Sequence, residues 1–204
     1  MKACFPSRRA SICSKTGFSL LELLVVIGII GLLAGVVYPA TMKVLSKAKE
    51  RRATHMAMAL HNAIDAYVTE YRKLPLRPGE MQQKDVEMES GPELIDALTA
   101  APSETNESGL NPRSITFFVG RTARPMGQGR YANGVRIDEN GSCTLFDEWG
   151  ERFRVRLDSD SNGRVQKPAW DKRDNGSEIL QSILTWSPGP DKDPATGADN
   201  IKTW

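Results

Sequence analysis

Residues 23–42 constrain this chain more than any other feature, because they are twenty consecutive residues without a formal charge. As an α-helix rising about 1.5 Å per residue, such a run extends about 30 Å, the hydrocarbon thickness of a bilayer. A secretory signal peptide is the alternative, but its apolar core is usually only about 7–15 residues long. The run therefore predicts that residues 18–42 are the transmembrane part of a helix.

The helical pattern continues past the apolar run as an amphipathic segment. Apolar residues recur there at intervals of three or four, separated by polar ones: Ala53, Met56, Leu60, Ile64, Tyr67 and Tyr71. Two prolines and a glycine within residues 74–79 then stop the pattern. We predict one helix over residues 19–72, amphipathic over 43–72, followed by a globular head over 73–204.

The charges are distributed unevenly along the chain. Residues 1–17 hold four bases and no acid, which leaves 23 bases against 25 acids in the remainder. A body that binds nucleic acid would be strongly basic, so no nucleic acid is expected as a partner, whereas a short basic N-terminus is typical of a targeting segment. Cys4 and Cys13 also lie in this segment, so its removal would leave Cys143 alone and exclude an intramolecular disulfide.

An acidic residue stands at the mouth of the apolar run. Glu22 follows Phe18, Ser19, Leu20 and Leu21 directly. A carboxylate within a bilayer costs on the order of 2.5–3.5 kcal/mol on insertion scales. We therefore expect another group to neutralise the charge of the Glu22 carboxylate.

Residues 15–22, Lys-Thr-Gly-Phe-Ser-Leu-Leu-Glu, closely resemble the processing site of type IV prepilins and type II secretion pseudopilins. In that family a membrane peptidase cuts after the glycine and methylates the new N-terminal phenylalanine. The resemblance implies that residues 1–17 are a leader peptide, that Gly17 precedes the cut and that Phe18 is the mature N-terminus. It also implies an assembly role for Glu22, whose carboxylate neutralises the α-amine of a neighbouring subunit.

The head shows a short helix and several strands. Residues 92–100 read as a helix with Leu94, Ile95 and Leu98 inward. Strands are predicted over 115–119, over 134–137 and 142–146 around an Asn-Gly turn, and over 152–157. The strand over 152–157 alternates apolar residues with arginines. Four acids lie near it in sequence and offset the arginines, which favours a solvated outer face over a phosphate or DNA site: Asp147, Glu148, Glu151 and Asp158. The fold class is therefore α+β, with the long helix packed on a small antiparallel β-sheet head.

Residues 146–153 resemble the Asp-x-Trp-Gly-x-x-aromatic signature that opens the main hairpin of major pseudopilins. The resemblance implies that Trp149 and Phe153 are core anchors. Gly150 would then permit the bend between them. Together with the processing site, this signature makes the chain most like the major pseudopilin.

Residues 158–163 match the first half of an EF-hand loop, in which alternate oxygens converge on calcium. The twelfth position, where a bidentate glutamate belongs, is Ala169. Without that ligand we favour a polar hairpin tip over a weak calcium site.

The C-terminal residues 187–204 are poor in apolar residues but end in Ile201 and Trp204, which can dock. Asp191 and Asp199 are spaced to close a calcium loop, and an ordinary solvated loop is the alternative. The segment resembles the C-terminal loop of major pseudopilins that holds one calcium ion. That resemblance implies ligands from Asp191, Asp199, Asn200 and the Pro188 carbonyl. Asparagine at 200 replaces the usual aspartate and should weaken binding, unless Asp193 substitutes.

No catalytic motif is found, and no enzyme is expected. The sequence contains no Gly-rich phosphate loop, no His-Glu-x-x-His and no nucleophile elbow. The resemblance implies a structural subunit of a periplasmic pseudopilus in type II secretion. Its helices would form the homopolymer, and its other partners would be minor pseudopilins, the assembly platform, prepilin peptidase and the membrane. It would be a single-pass protein of the bacterial inner membrane, with the head in the periplasm.

Two other functions remain open. A type IV pilin of a surface filament, for adhesion, motility or DNA uptake, shares the processing site. Such pilins typically close the head with a C-terminal disulfide, which one mature cysteine cannot form. A membrane-tethered binding module or enzyme would instead need a pocket with convergent polar groups in residues 79–135.

Overall fold

The computed structural model describes residues 17–77, 85–102, 109–172 and 176–204. The predicted leader lies outside them except for Gly17. The elements are α1 (Leu20–Tyr71), β1 (Val86–Glu89), α2 (Pro92–Thr99), β2 (Arg124–Gly127), β3 (Arg130–Ala132), β4 (Gly134–Ile137), β5 (Cys143–Phe146), β6 (Arg154–Leu157), β7 (Val165–Gln166), β8 (Glu178–Ile179), β9 (Ile183–Ser187) and β10 (Ile201–Lys202). The α+β class predicted from the sequence is confirmed. The chain forms two compact units, Met1–Leu45 and Ser46–Trp204.

In the first unit the apolar side chains of α1 stand exposed. Leu20 is 87% exposed and Leu32 is 72% exposed. Within the described part of the chain, no helix is both long enough and apolar enough to cross a membrane. The membrane-spanning role of residues 18–42 therefore stays a prediction from the sequence.

In the second unit the later turns of α1 supply one wall of the core. Its buried residues recur at intervals of three or four and are Ala53, Ala57, Leu60, Ala63, Ile64 and Tyr67. The Tyr67 hydroxyl donates a hydrogen bond to the Leu110 carbonyl, and Tyr71 donates to Asn111 Oδ1 at 2.5 Å. Leu94, Ile95 and Leu98 of α2 are fully buried against the same cluster, as predicted.

The main sheet is antiparallel in the order β1, β6, β9, β10. Val155 and Leu157 of β6 point into the core, and the arginines alternate with them on the other face. These arginines pair with glutamates of the neighbouring strand: Arg152 and Arg154 with Glu89, and Arg156 with Glu87. The acids of β1 therefore neutralise these arginines, rather than the acids near β6 in sequence. The predicted solvated face is wrong, because Arg154 and Arg156 are opposite Trp186 and Leu184, two residues of the second hydrophobic cluster.

The hairpin of β4 and β5 forms where the Asn-Gly pair predicts it. Asp138 Oδ1 accepts hydrogen bonds from the amides of Asn140 and Ser142, at 3.0 and 2.9 Å. Gly141 takes a φ of +81°, a left-handed conformation that glycine adopts readily. Local turn chemistry is therefore enough to determine this element.

The strand predicted over residues 115–119 is wrong. The amides of Phe117 and Phe118 donate to the Leu98 carbonyl, at 2.8 and 2.9 Å, so the segment runs along the end of α2. Phe118 is buried, whereas Val119 is 87% exposed. The β-branched and aromatic residues that indicate a strand are used here for packing, because tertiary contacts override β-propensity.

Candidate functional site

The predicted processing site lies at the exposed start of α1. Phe18 is 79% exposed, and a Cβ added at Gly17 would meet no other atom of the chain within 4 Å. The described residues thus leave the predicted cleavage bond accessible to a peptidase.

Glu22 has a local role that the sequence analysis missed. Its Oε2 accepts a hydrogen bond from the Ser19 amide at 3.0 Å, while Ser19 Oγ accepts from the Leu21 amide at 3.2 Å. This reciprocal arrangement is close to a capping box, and it satisfies amides that the first turn of a helix leaves without partners. The Ser-x-x-Glu spacing of Ser19 and Glu22 is the signal that predicts it.

The turn of the Asp-x-Trp-Gly signature is organised by Asp147 rather than by its tryptophan. Asp147 is 1% exposed, and its Oδ1 accepts from the amides of Trp149 and Glu151, at 2.9 and 2.8 Å. Its burial raises the pKa of the carboxyl group above the ordinary value, and its hydrogen bonds oppose that rise. Gly150 makes the predicted bend with a φ of +92°.

The core role predicted for the two aromatic residues of this signature is only half correct. Phe153 is fully buried in the main cluster, whereas Trp149 is partly buried and belongs to neither hydrophobic cluster of the described residues. The adjacent Glu148 is 5% exposed, and its Oε1 lies 2.9 Å from Arg52 Nε and 3.2 Å from Arg121 Nη2. This acid therefore ties the turn to α1.

The C-terminal loop is closed by the last two strands. Ile201 and Lys202 of β10 pair with Ser187 and Trp186 of β9. Gly189 takes a φ of +81°, and a Cβ placed there would stand 2.3 Å from the Asp199 carbonyl oxygen. The two ends of the loop therefore approach more closely than a side chain at this position would allow.

Within the loop, Asp191 and Asp199 are adjacent, as their spacing predicts. The Asp191 amide donates to Asp199 Oδ2 at 3.0 Å. The Thr196 hydroxyl donates to the Asp191 carboxylate and, as the largest cause, lowers the pKa of this exposed group. The Asp193 side chain makes a hydrogen bond within the loop: its Oδ1 accepts from the Ala195 amide at 2.9 Å.

Two buried oxygens test whether the predicted ligands suit a cation. Asp199 Oδ1 and Asn200 Oδ1 are buried and accept no hydrogen bond from the described residues. The Asn200 amide nitrogen donates to the Pro194 carbonyl at 3.4 Å, which directs its oxygen away from that partner. Buried oxygens without partners are costly, and carboxylate and amide oxygens are the ligands that calcium prefers. The residues present therefore fit the ion implied by the resemblance.

The predicted docking of the chain end occurs on a cluster of three tryptophans. The ring centroids of Trp170, Trp186 and Trp204 lie 5.9–6.0 Å apart. Trp204 Nε1 donates to Asp171 Oδ2 at 2.8 Å, and Lys202 Nζ lies 3.1 Å from the same oxygen. A Cβ at Gly197 would stand 2.7 Å from Trp170, so the loop also rests on this cluster.

A second acidic group involves the half EF-hand. Carboxylate oxygens of Asp85, Asp158 and Asp160 all lie within 4.8 Å of one another. Asp158 accepts from the amides of Asn162 and Gly163, at 3.1 and 2.7 Å, and therefore serves its own turn. The turn is polar, as predicted, but it is not a hairpin tip, because β6 and β7 belong to different sheets. The three converging carboxylates are also a group that could hold a cation.

Comparison with known proteins bears on the N-terminal region. The model of the prokaryotic N-terminal methylation motif matches residues 13–38. The match shows that the chain carries a prokaryotic N-terminal methylation motif, which extends into its long helix.

Curated relatives make the similarity more specific. The chain is 44% identical over 90 residues to the type II secretion system core protein G of Escherichia coli K12, covering 44% of this chain and 55% of that protein. It is 41% identical over 61 residues to the protein of that name from Aeromonas hydrophila, covering 30% and 43%, and 43% identical over 53 residues to that from Vibrio cholerae, covering 26% and 36%. The resemblance to the prepilin and pseudopilin family is thereby confirmed. The matches span about half or less of these relatives, and no solved structure matches the chain significantly.

Proposed function

We propose that this chain is a structural subunit of a periplasmic pseudopilus that acts in type II protein secretion, and that it is not an enzyme. The observation that carries the proposal is the methylation motif at residues 13–38, placed at the start of a 52-residue helix. The similarity to proteins named type II secretion system core protein G supports the pseudopilus over a surface pilus.

The exposed apolar side chains of the first unit support a membrane anchor. Leu20, Leu24, Ile27 and Ile30 are each at least 58% exposed, and soluble monomers rarely expose such contiguous apolar surface. In the proposal, residues 18–42 span the bacterial inner membrane once, and the head lies in the periplasm. After assembly the same surface would be buried between the helices of a homopolymer.

Other partners follow from the same role. Prepilin peptidase would remove residues 1–17 and methylate Phe18. Minor pseudopilins and the inner-membrane assembly platform would then incorporate the mature subunit into the filament. Nucleic acid is not a proposed partner, since the arginines of β6 are already paired with Glu87 and Glu89.

One calcium ion is proposed as the cofactor of the head. Asp191, Asp199, Asn200 and the Pro188 carbonyl would hold it, and Asp193 is the alternative carboxylate. A bound cation would give the buried Asp199 Oδ1 and Asn200 Oδ1 the partner that the described residues do not provide. It would fix the loop between β9 and β10 in one conformation.

Glu22 has two roles in this proposal, and a set of variants can separate them. Glu22→Gln keeps an oxygen that can accept from the Ser19 amide but removes the charge. Ser19→Ala removes the hydroxyl that accepts from the Leu21 amide, and it keeps both the charge and the bond from the residue-19 amide to Glu22. Loss of assembly by Glu22→Gln is expected, because the neighbour's α-amine loses its counter-ion. Cross-linking of membrane-resident subunits into ladders, compared with wild type, measures the effect.

The matched variant Ser19→Ala gives the contrast. It is expected to cost about 1 kcal/mol of helix stability and to leave the cross-linked ladder in place. If Glu22→Gln assembled like wild type, the charge of Glu22 would have no role in assembly, and its bond to the Ser19 amide would be its remaining role.

A further inference from the structure

We propose that Ser187 is a positioning residue of the calcium site, because it orients the peptide that carries the Pro188 carbonyl. The inference rests on the calcium site proposed above and adds a residue outside the implied ligand set. Ser187 is the last residue of β9 and is fully buried.

The Ser187 hydroxyl connects two parts of the head. It donates to Asp147 Oδ2 at 2.5 Å and accepts a hydrogen bond from the Gly189 amide at 3.1 Å. Its proton is committed to the carboxylate, so its lone pairs face the loop. The hydroxyl therefore links the Asp-x-Trp-Gly turn to the first peptide of the calcium loop.

The geometry of the peptide bond gives this link its effect. The peptide between Pro188 and Gly189 is trans, as are all described peptide bonds, and in a trans peptide the carbonyl and the amide hydrogen point in opposite directions. Holding the Gly189 amide on Ser187 Oγ consequently directs the Pro188 carbonyl oxygen away from the serine. The hydrogen bond thus fixes the direction of a predicted ligand without touching the ion.

Asp147 in turn holds the serine in place. Its Oδ1 is occupied by the amides of Trp149 and Glu151, which leaves Oδ2 for Ser187. The Asn133 amide also donates to the Asp147 carbonyl at 2.5 Å. The signature aspartate, 40 residues before the serine, is therefore anchored by several segments and can keep the hydroxyl in one orientation.

Ser90 provides a matched control, since it is also fully buried and makes the same kinds of bond. Its hydroxyl donates to the Leu145 carbonyl at 2.7 Å and accepts from the Phe153 amide at 2.9 Å. Ser90→Ala therefore removes an equivalent pair of hydrogen bonds at a site that includes none of the loop residues.

The test uses the full chain purified in detergent, with radioactive calcium in equilibrium dialysis and with the melting temperature in chelator. Ser187→Ala is expected to weaken calcium binding at least tenfold, since residues that orient metal ligands typically contribute about 10–100-fold. Ser90→Ala is expected to keep the wild-type calcium affinity. Both variants should melt at lower temperature than wild type in chelator.

Each outcome bears on a separate claim. If wild type binds no calcium, the proposed calcium site is wrong, and this inference is lost with it. If wild type binds but Ser187→Ala binds equally well, or no more weakly than Ser90→Ala, the positioning role is refuted and the calcium site stands. Should Ser187→Ala show no folded baseline in chelator, Ser187→Cys takes its place with the same expected order, because sulfur is a weak acceptor.

Discussion

Replacing Gly17 with valine is expected to block processing completely, so that the membrane fraction holds only uncut precursor. The peptidase of the resembled family cuts after this glycine, and a larger side chain would obstruct its access to the bond. A Cβ at Gly17 meets no other atom of the chain within 4 Å, so the change leaves this chain's own structure undisturbed. Intact-mass spectrometry should show wild type starting at Phe18 with a methylated amine, and the variant starting at Met1.

Gly28→Val is the matched control for this experiment. A Cβ at Gly28 likewise meets no other atom within 4 Å, but the residue lies within α1, beyond the cleavage bond. Its precursor is expected to be cut as wild type is. A wild-type chain that retains Met1, or that starts near Thr41, would contradict the processing site.

Calcium is expected to stabilise the head strongly against thermal unfolding. A ligand that binds only the folded state adds about 1.4 kcal/mol when its free concentration is ten times its dissociation constant. Calcium sites of extracellular modules work at about 10⁻⁴–10⁻³ M, so the melting temperature should begin to rise between micromolar and millimolar calcium and fall again with chelator. Calorimetry of the full chain in detergent measures the shift.

Two variants separate the charge of the calcium loop from its geometry. Asp191→Ala is expected to abolish the calcium effect, but it also removes bonds to the Asp193 amide and the Thr196 hydroxyl. Asp199→Asn removes one charge, and its single oxygen can serve either the ion or the Asp191 amide but not both, so it should weaken calcium binding. Equal calcium-induced shifts in wild type and both variants would contradict the loop assignment.

The half EF-hand supplies the control for this experiment. Asp158→Ala is expected to lower stability equally with and without calcium, because the Asp158 carboxylate serves the amides of Asn162 and Gly163. A calcium effect that disappears in Asp158→Ala but persists in Asp191→Ala would show that the ion binds at residues 158–163 rather than in the C-terminal loop.

A soluble fragment for these measurements must retain the second half of α1. Ala57, Leu60, Ile64 and Tyr67 are at most 1% exposed and line the main core. A fragment that starts after Tyr71 would expose that core, whereas the unit Ser46–Trp204 keeps it.

Features that depend on contiguous residues were predictable from the sequence alone. The helix α1 follows from a periodicity of three to four, and the structure confirms it. The cleavage site is likewise predicted from a short string of residues, and it stays a prediction. The β4–β5 hairpin is also local, since Asp138 and the Asn-Gly pair contain the chemistry of the turn. The capping box of Ser19 and Glu22 was equally readable from its spacing.

Features that depend on partners distant in sequence required the tertiary structure. Residues 115–119 have strand propensity, but they hydrogen-bond to Leu98 of α2. Trp149 was predicted to be a core anchor, but the hydrogen bonds that hold its turn are made by Asp147 and Glu148. Propensity describes a residue's local preference, whereas packing depends on which surfaces meet.

The candidate calcium site shows most clearly which features follow from the sequence and which from the tertiary structure. The spacing of Asp191 and Asp199 follows from residues 187–204, and the resemblance to major pseudopilins implies Asn200 and the Pro188 carbonyl as further ligands. Only the folded head shows Asp199 Oδ1 and Asn200 Oδ1 buried without a partner, and Ser187 held between Asp147 and Gly189. The sequence therefore determined which oxygens are present, and the tertiary structure decided which of them lack hydrogen bonds, because burial and the direction of a peptide depend on neighbours far along the chain.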